Sequence, residues 1–206
     1  MDKTEEETKD AEFEPFNKVI SFGSMCLSAM ALQHGNLRSF ATPLDWIFSS
    51  PEMISHCISD NWQTFLDPTQ LIDYGSKEHE IFVGHSLYSR MLKKGKTNCK
   101  IFLHRNPLTA NGMSYYKRTV ERIRLAATNI KDVSLLVCIQ SSKHRSKHHV
   151  WVQKFRDLFT VLQEKWKGKF EFLVIRMQKP PRKQNNKSDD SQLNDTTSCV
   201  DKISNV

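Results

Sequence analysis

Val133-Ser-Leu-Leu-Val-Cys-Ile139 and Phe170-Glu-Phe-Leu-Val-Ile175 are short runs nearly continuous in β-branched and aliphatic residues. A strand with one wet face alternates apolar and polar side chains. A run without that alternation reads as a strand covered on both faces, as in a parallel sheet between helices. The flanking sequence has the other period. Met113, Tyr116, Val120, Ile123 and Ala127 recur at three and four residues, with Lys117, Arg118, Glu121, Arg122 and Arg124 between them. Trp151, Phe155, Leu158, Leu162 and Trp166 do the same ahead of Gly168, a helix stop. With Lys100-Ile-Phe-Leu103 in front, residues 100–176 alternate strand, helix, strand, helix, strand. Right-handed crossovers and a largely parallel sheet follow from that order. Val19-Ile-Ser-Phe22 and Glu80-Ile-Phe-Val83 read as two further strands. The expected fold is α/β, a three-layer, largely parallel sheet with flanking helices.

The chain is 206 residues long and 38% apolar, with 12 Phe, 4 Trp and 4 Tyr, which need a core. Collagen-like and fully disordered classes are excluded. No window approaches the roughly 18–20 apolar residues of a membrane span. The best candidate, Val19 to Leu32, is broken by Ser21, Gly23, Ser24 and Ser28. Residues 1–15 hold Asp2, Glu5, Glu6, Glu7, Asp10, Glu12 and Glu14 against Lys3 and Lys9, the reverse of a basic secretory leader. They read as a disordered acidic leader. Residues 179–206 carry two prolines at their start and no aromatic side chain, and read as a disordered polar tail. A single domain over 16–178 remains.

Five cysteines (Cys26, Cys57, Cys99, Cys138 and Cys199) stand at wide spacing with no CxxC pair. Free thiols in a reducing, cytoplasmic setting fit this better than a disulfide framework. Zinc sites want closely spaced cysteine pairs, and the i, i+4 pair His144 and His148 has no carboxylate or cysteine nearby, so neither metal nor cofactor is expected. The net charge is +7, and basic residues gather at Lys93–Lys100, Lys143–Lys147 and Lys179–Lys187. Such stretches suit non-specific contact with a polyanion, but no zinc-finger, bZIP or aromatic RNA-binding motif supports that partner.

The densest chemistry lies in Val19-Ile-Ser-Phe-Gly-Ser-Met-Cys26 and the residues that follow. An apolar strand ends at Gly23, suited to a sharp turn, and Ser24 is the candidate N-cap of a helix running to Gly35. Cys26 then falls in the first turn of that helix. There the dipole favours thiolate over thiol, and the free N–H groups of Gly23, Ser24 and their neighbours could stabilise an oxyanion. A small buried hydrophobe is the ordinary alternative for such a cysteine. A thiolate nucleophile needs a base. His104, at the end of Ile-Phe-Leu-His, and His85, at the end of Ile-Phe-Val-Gly-His, both stand at strand ends. Asn106 lies two residues past His104, and its amide could orient a neighbouring ring. In Phe40-Ala-Thr-Pro-Leu-Asp-Trp-Ile-Phe48, Asp45 either caps a turn or orients a histidine, and Ser50-Pro51 opens the next helix.

These pieces in this order resemble a family of papain-like cysteine peptidases, a domain of otherwise unknown function. The resemblance rests on SFGSMC, FATPLDWIFSSPE, NWQTFLD, GHSLYSRM and IFLHRNPL with YYKRTVERIR, over about residues 19–140. It implies a cysteine nucleophile at Cys26, a histidine base at His104 and a peptide or amide substrate. It also implies a papain-like α+β architecture as the alternative fold. The family commonly places an aspartate shortly after the histidine, where this sequence has Arg105 and Asn106. The expected activity is an intracellular cysteine-dependent hydrolase. A non-enzymatic or catalytically degraded module that binds through a basic surface is the alternative.

Overall fold

In the computed structural model, which describes residues 15–76, 80–93, 99–142, 148–178 and 198–203, the two apolar runs pair at the centre of one sheet. Strand β1 (Lys18–Ser21) runs parallel to β4 (Val133–Ser142), and β4 runs parallel to β5 (Lys169–Gln178). Leu136 sits opposite both Ile20 and Phe172 in that register. The largely parallel sheet with flanking helices expected from the sequence is therefore present.

Helix α1 (Cys26–His34) packs against β1 and β4, burying Ala29 and Leu32. Ser28 ties the two together: its hydroxyl donates to the Gly23 carbonyl at 2.9 Å and accepts from the Ile139 N–H at 2.7 Å. Helices α5 (Ala110–Thr128) and α6 (His148–Lys165) contribute Val120, Ile123, Phe155, Leu158 and Leu162 to the main core, joined by Trp166 just past α6. These side chains gather with Ile20, Leu136, Phe172 and Val174 of the sheet and with Phe22 just past β1. Phe22 meets Trp166 and Phe172 edge-on, with ring centroids 6.3 and 5.8 Å apart. Each such side chain contributes about 2 kcal/mol of burial.

Local chemistry sets the helix ends. Ser50 accepts a hydrogen bond from the Met53 N–H and Pro51 takes the first position of α2 (Pro51–Ser59), as read from the sequence. The end of α2 is closed by Asn61 in the left-handed region (φ 54°). There the Trp62 N–H bonds the Cys57 carbonyl and the Asn61 N–H bonds the Ile58 carbonyl, a Schellman closure. Thr109 caps α5 by accepting from the Gly112 N–H at 3.1 Å. The outer edge of β1 is covered. Ser39 exchanges hydrogen bonds with both backbone groups of Val19, and Thr42 donates to the Ser21 carbonyl. This blunts an edge that would otherwise invite strand pairing.

Two expected strands do not join the parallel sheet. After the short α3 (Gln63–Leu66) and a 3-10 turn (Pro68–Gln70), β2 (Leu71–Asp73) pairs antiparallel with β3 (Val83–His85) in a separate ribbon. Helix α4 (Tyr88–Lys93) follows. Lys100–Leu103 forms only isolated bridges, from Phe102 to Ile47 and to Val83. Its backbone is satisfied from two sides, by the start of β3 and by a loop: Ile101 N–H donates to Val83, and Phe48 N–H donates to the Ile101 carbonyl. The place beside β4 belongs instead to β1. Within the stretch read as a polar tail, Ser198–Ile203 forms β6, antiparallel to β5. Pairing there satisfies backbone groups on the open side of β5, which composition alone does not register. Most of the expected leader and most of the basic stretches lie outside the described residues. No helix among the described residues is long and apolar enough to cross a membrane.

Candidate active site

The chain turns sharply where β1 ends. Gly23 has φ 79°, and a Cβ placed on it would stand 2.5 Å from the Ser49 hydroxyl oxygen, so both conformation and space require glycine. The N-cap of α1 is Met25, in extended conformation with no side-chain capping bond, rather than Ser24. The left-handed turn at Gly23 carries Ser24 into the protein instead. It is buried, and its carbonyl accepts from the Ser49 N–H at 3.2 Å. The first N–H groups of α1 therefore lack a capping side chain, the condition under which a helix start can receive an anion.

Cys26 is the first residue of α1 and is half-buried. Cys57, Cys99 and Cys138 are buried. Burial pushes the Cys57 thiol far up, against a hydrogen bond from Tyr88, and pushes the Cys138 thiol up to about 12. These two are inert hydrophobes at neutral pH. Cys199 lies on β6, where only the backbone is described.

Trp46–Ser49 lies between the turn that holds Cys26 and the segment that leads to His104. On one side the Ser49 N–H reaches Ser24; on the other, Phe48 N–H donates to Ile101 at 2.9 Å and Leu103 N–H donates to Trp46 at 3.4 Å. His104 stands just beyond, exposed on a bend, its ring edge-on to Trp46 at 5.3 Å between centroids. Cys26 and His104 thus flank one segment, but no hydrogen bond joins them among the described residues. A cavity of about 350 Å³ opens beside Met25, walled by Ser24, Phe48 and Ser49 and by Cys99 and Lys100.

The other expected site residues have partners of their own. Asp45 is fully buried, and its carboxylate accepts from the Thr42 N–H (3.1 Å), the Thr42 hydroxyl (2.8 Å) and the Arg38 guanidinium (2.7 Å). Burial raises its pKa, opposed by the Thr42 bonds and the Arg38 charge. Of the two roles read for it, the turn is the one with contacts. The Asn106 side chain accepts from the Leu108 N–H at 2.9 Å and shapes the approach to α5. His85 is fully buried. Its Nε2 faces the Thr64 carbonyl at 3.0 Å, and its Nδ1 accepts from the Leu87 and Tyr88 N–H groups. The ring stacks on Tyr88 with centroids 4.2 Å apart, leaving no nitrogen for a nucleophile. Burial lowers its pKa.

Several neighbours escaped the sequence reading. Arg38 and Tyr115 join the Asp45 loop, the latter with the Arg105 guanidinium 4.1 Å from its ring centre. No local pattern marks an arginine seven residues ahead of its carboxylate. Gln140, at the far end of β4, reaches the cavity wall only because β4 lies next to β1. Among the described residues, no group of three His, Cys, Asp or Glu side chains is placed to hold a metal. His144 lies outside the described residues.

No curated protein and no solved structure matches the chain. A family model does, over residues 17–173, from the first strand through the first half of the last parallel one. It spans the Cys26 turn, the Asp45 loop and the His104 bend alike, and by that match the chain belongs to the family described as putative papain-like cysteine peptidase.

Proposed function

We propose that this chain is a cysteine-dependent hydrolase of amide or related acyl bonds, with Cys26 as nucleophile and His104 as general base and acid. One observation carries the reading: Cys26 opens α1 half-exposed, next in sequence to Met25, which lines a cavity, whereas the other three cysteines with described side chains are buried. The uncapped N–H groups of that helix start would receive the charge that develops on the carbonyl oxygen. The sulfur attacks the acyl carbon, forming a thioester as the C–N bond breaks. His104 gives the departing amine its proton, then takes one from the water that hydrolyses the thioester.

The resting His104 ring is exposed and packs on Trp46, so it must swing toward the sulfur as substrate seats. Catalytic hydrogen bonds are often long in empty sites and tighten on binding. Asp45 acts on the ring only by holding the Trp46 loop through Thr42 and Arg38, a positioning role. Unpaired cysteines suit a reducing compartment, and we assign the activity to the cytoplasm.

The test is trapping the acyl-enzyme. Wild-type protein mixed with a panel of activated acyl esters and amides should gain the acyl mass on the peptide containing Cys26. Cys26→Ala should abolish it, and His104→Ala should slow turnover of the adduct about 100-fold or more. Acylation elsewhere, or a turnover rate indifferent to His104, would replace this reading with a catalytically silent binding module.

A further inference from the structure

The cavity lined by Met25, the residue before Cys26, has walls of two kinds. Met25, Phe48, Phe82, Leu92 and Cys99 make it largely apolar. Its polar lining is Ser24, Ser49, Lys100 and Gln140. Among these described residues there is one cation and no carboxylate. The Ser49 hydroxyl is buried with no partner among the described residues, a donor at the wall that nothing in the fold uses. Gln140 accepts from the Trp151 indole N–H through its side-chain oxygen, and among the described residues its NH₂ group has no acceptor. Lys100 is held by Glu80 at 3.8 Å, but Glu80 is two-thirds exposed, and such a pair exchanges readily. Ammonium, amide and hydroxyl donors against low-dielectric walls concentrate a positive field in a small space.

From this lining we infer that the cavity binds a large apolar residue bearing a free carboxylate, the carboxyl end of a peptide or of an N-acyl amino acid. A volume of about 350 Å³ lies at the small end of the roughly 300–1,000 Å³ range of small-molecule pockets, room for one large residue rather than a long chain segment. The side chain lies against Phe48, Phe82 and Leu92, and the carboxylate displaces Glu80 from Lys100. The amide bond that precedes this residue is then the one presented to Cys26, and the apolar amino acid leaves as the amine. The reaction rests on the hydrolase reading above; the binding does not.

The experiment reads binding without turnover. Methionine methyl groups labelled with ¹³C report on Met25, assigned through Met25→Leu. Titration with N-acetyl-L-phenylalanine should shift that resonance saturably, about tenfold tighter than N-acetyl-L-phenylalaninamide, while N-acetylglycine should not saturate. Lys100→Met should bring the acid down to the affinity of the amide and leave the amide unchanged. Unmoved methyl signals from the other methionines show that the variant is folded. Equal affinity for acid and amide, an unmoved Met25 signal, or a preference that survives Lys100→Met would overturn the inference. Saturable acid binding beside a thiol that never acylates would retain the site and remove only the reaction.

Discussion

His85 has both ring nitrogens committed to the fold, which makes it a proton-sensitive support. Accepting two backbone N–H groups at Nδ1 requires the neutral ring with the proton on Nε2, facing Thr64. Burial holds its pKa below the ordinary 6.5. Below that ordinary value the unfolded chain binds a proton that the folded chain resists, so stability should be complete above pH 6.5 and fall as the pH drops beneath it. Urea unfolding measured from pH 7.5 to 5.5 should show the decline, and His85→Gln should flatten it; a slope that the substitution leaves unchanged would assign the decline elsewhere. Burial favours the neutral form of Asp45 too, against the pull of Arg38 and Thr42. Asp45→Ala leaves Arg38 and both Thr42 donors facing an empty site and should cost about 3 kcal/mol, measurable as a lower denaturation midpoint. Both residues were visible in the sequence as chemically capable. Their contacts with Thr64 and Arg38 were not, because those partners are set by loop packing rather than by spacing.

At the scale of elements, the turn between β1 and α1 decides where the sulfur stands. Gly23→Ala adds a left-handed alanine and a methyl group against Ser49 and should destabilise by about 2 kcal/mol or more. Pairing it with Ser49→Ala removes the steric part, so the double variant should recover a portion of the loss. A full loss in the double variant would place the cost in the backbone alone. The strand-turn-helix unit was legible because Val19–Phe22 is apolar, Gly23 follows, and the helical period begins at once. Its cap was misread: a serine at the right spacing is a good cap only if its side chain faces the helix, and Gly23 turns Ser24 away. Lys100–Leu103 misled for a related reason. Four residues of strand composition do not reveal which partners their backbone will find, and here those partners are the start of β3 and the 46–48 loop.

For the whole molecule, the two faces of the sheet are unequal. Phe172 and Val174 are fully buried in the main core, whereas Leu173 and Ile175, on the other face, stay half-exposed because α1 spans only β1 and β4. Phe172→Ala should therefore cost about 4 kcal/mol and Leu173→Ala about 1 kcal/mol by chemical denaturation. Comparable losses would mean that something covers the second face. The parallel order of β4 and β5 was readable in two unalternating runs. The neighbour of β4 was not, since β1 lies more than a hundred residues earlier and nothing local encodes that pairing.

The account turns on the reactivity of one thiol, and limited alkylation measures it directly. With dilute iodoacetamide at pH 7 and peptide mass analysis over time, Cys26 should be modified at least ten times faster than Cys57, Cys99 or Cys138. His104→Ala should slow Cys26 while leaving the ranking of the buried thiols unchanged. Modification of Cys26 no faster than of Cys57 or Cys138 would contradict the assignment of Cys26 as the nucleophile.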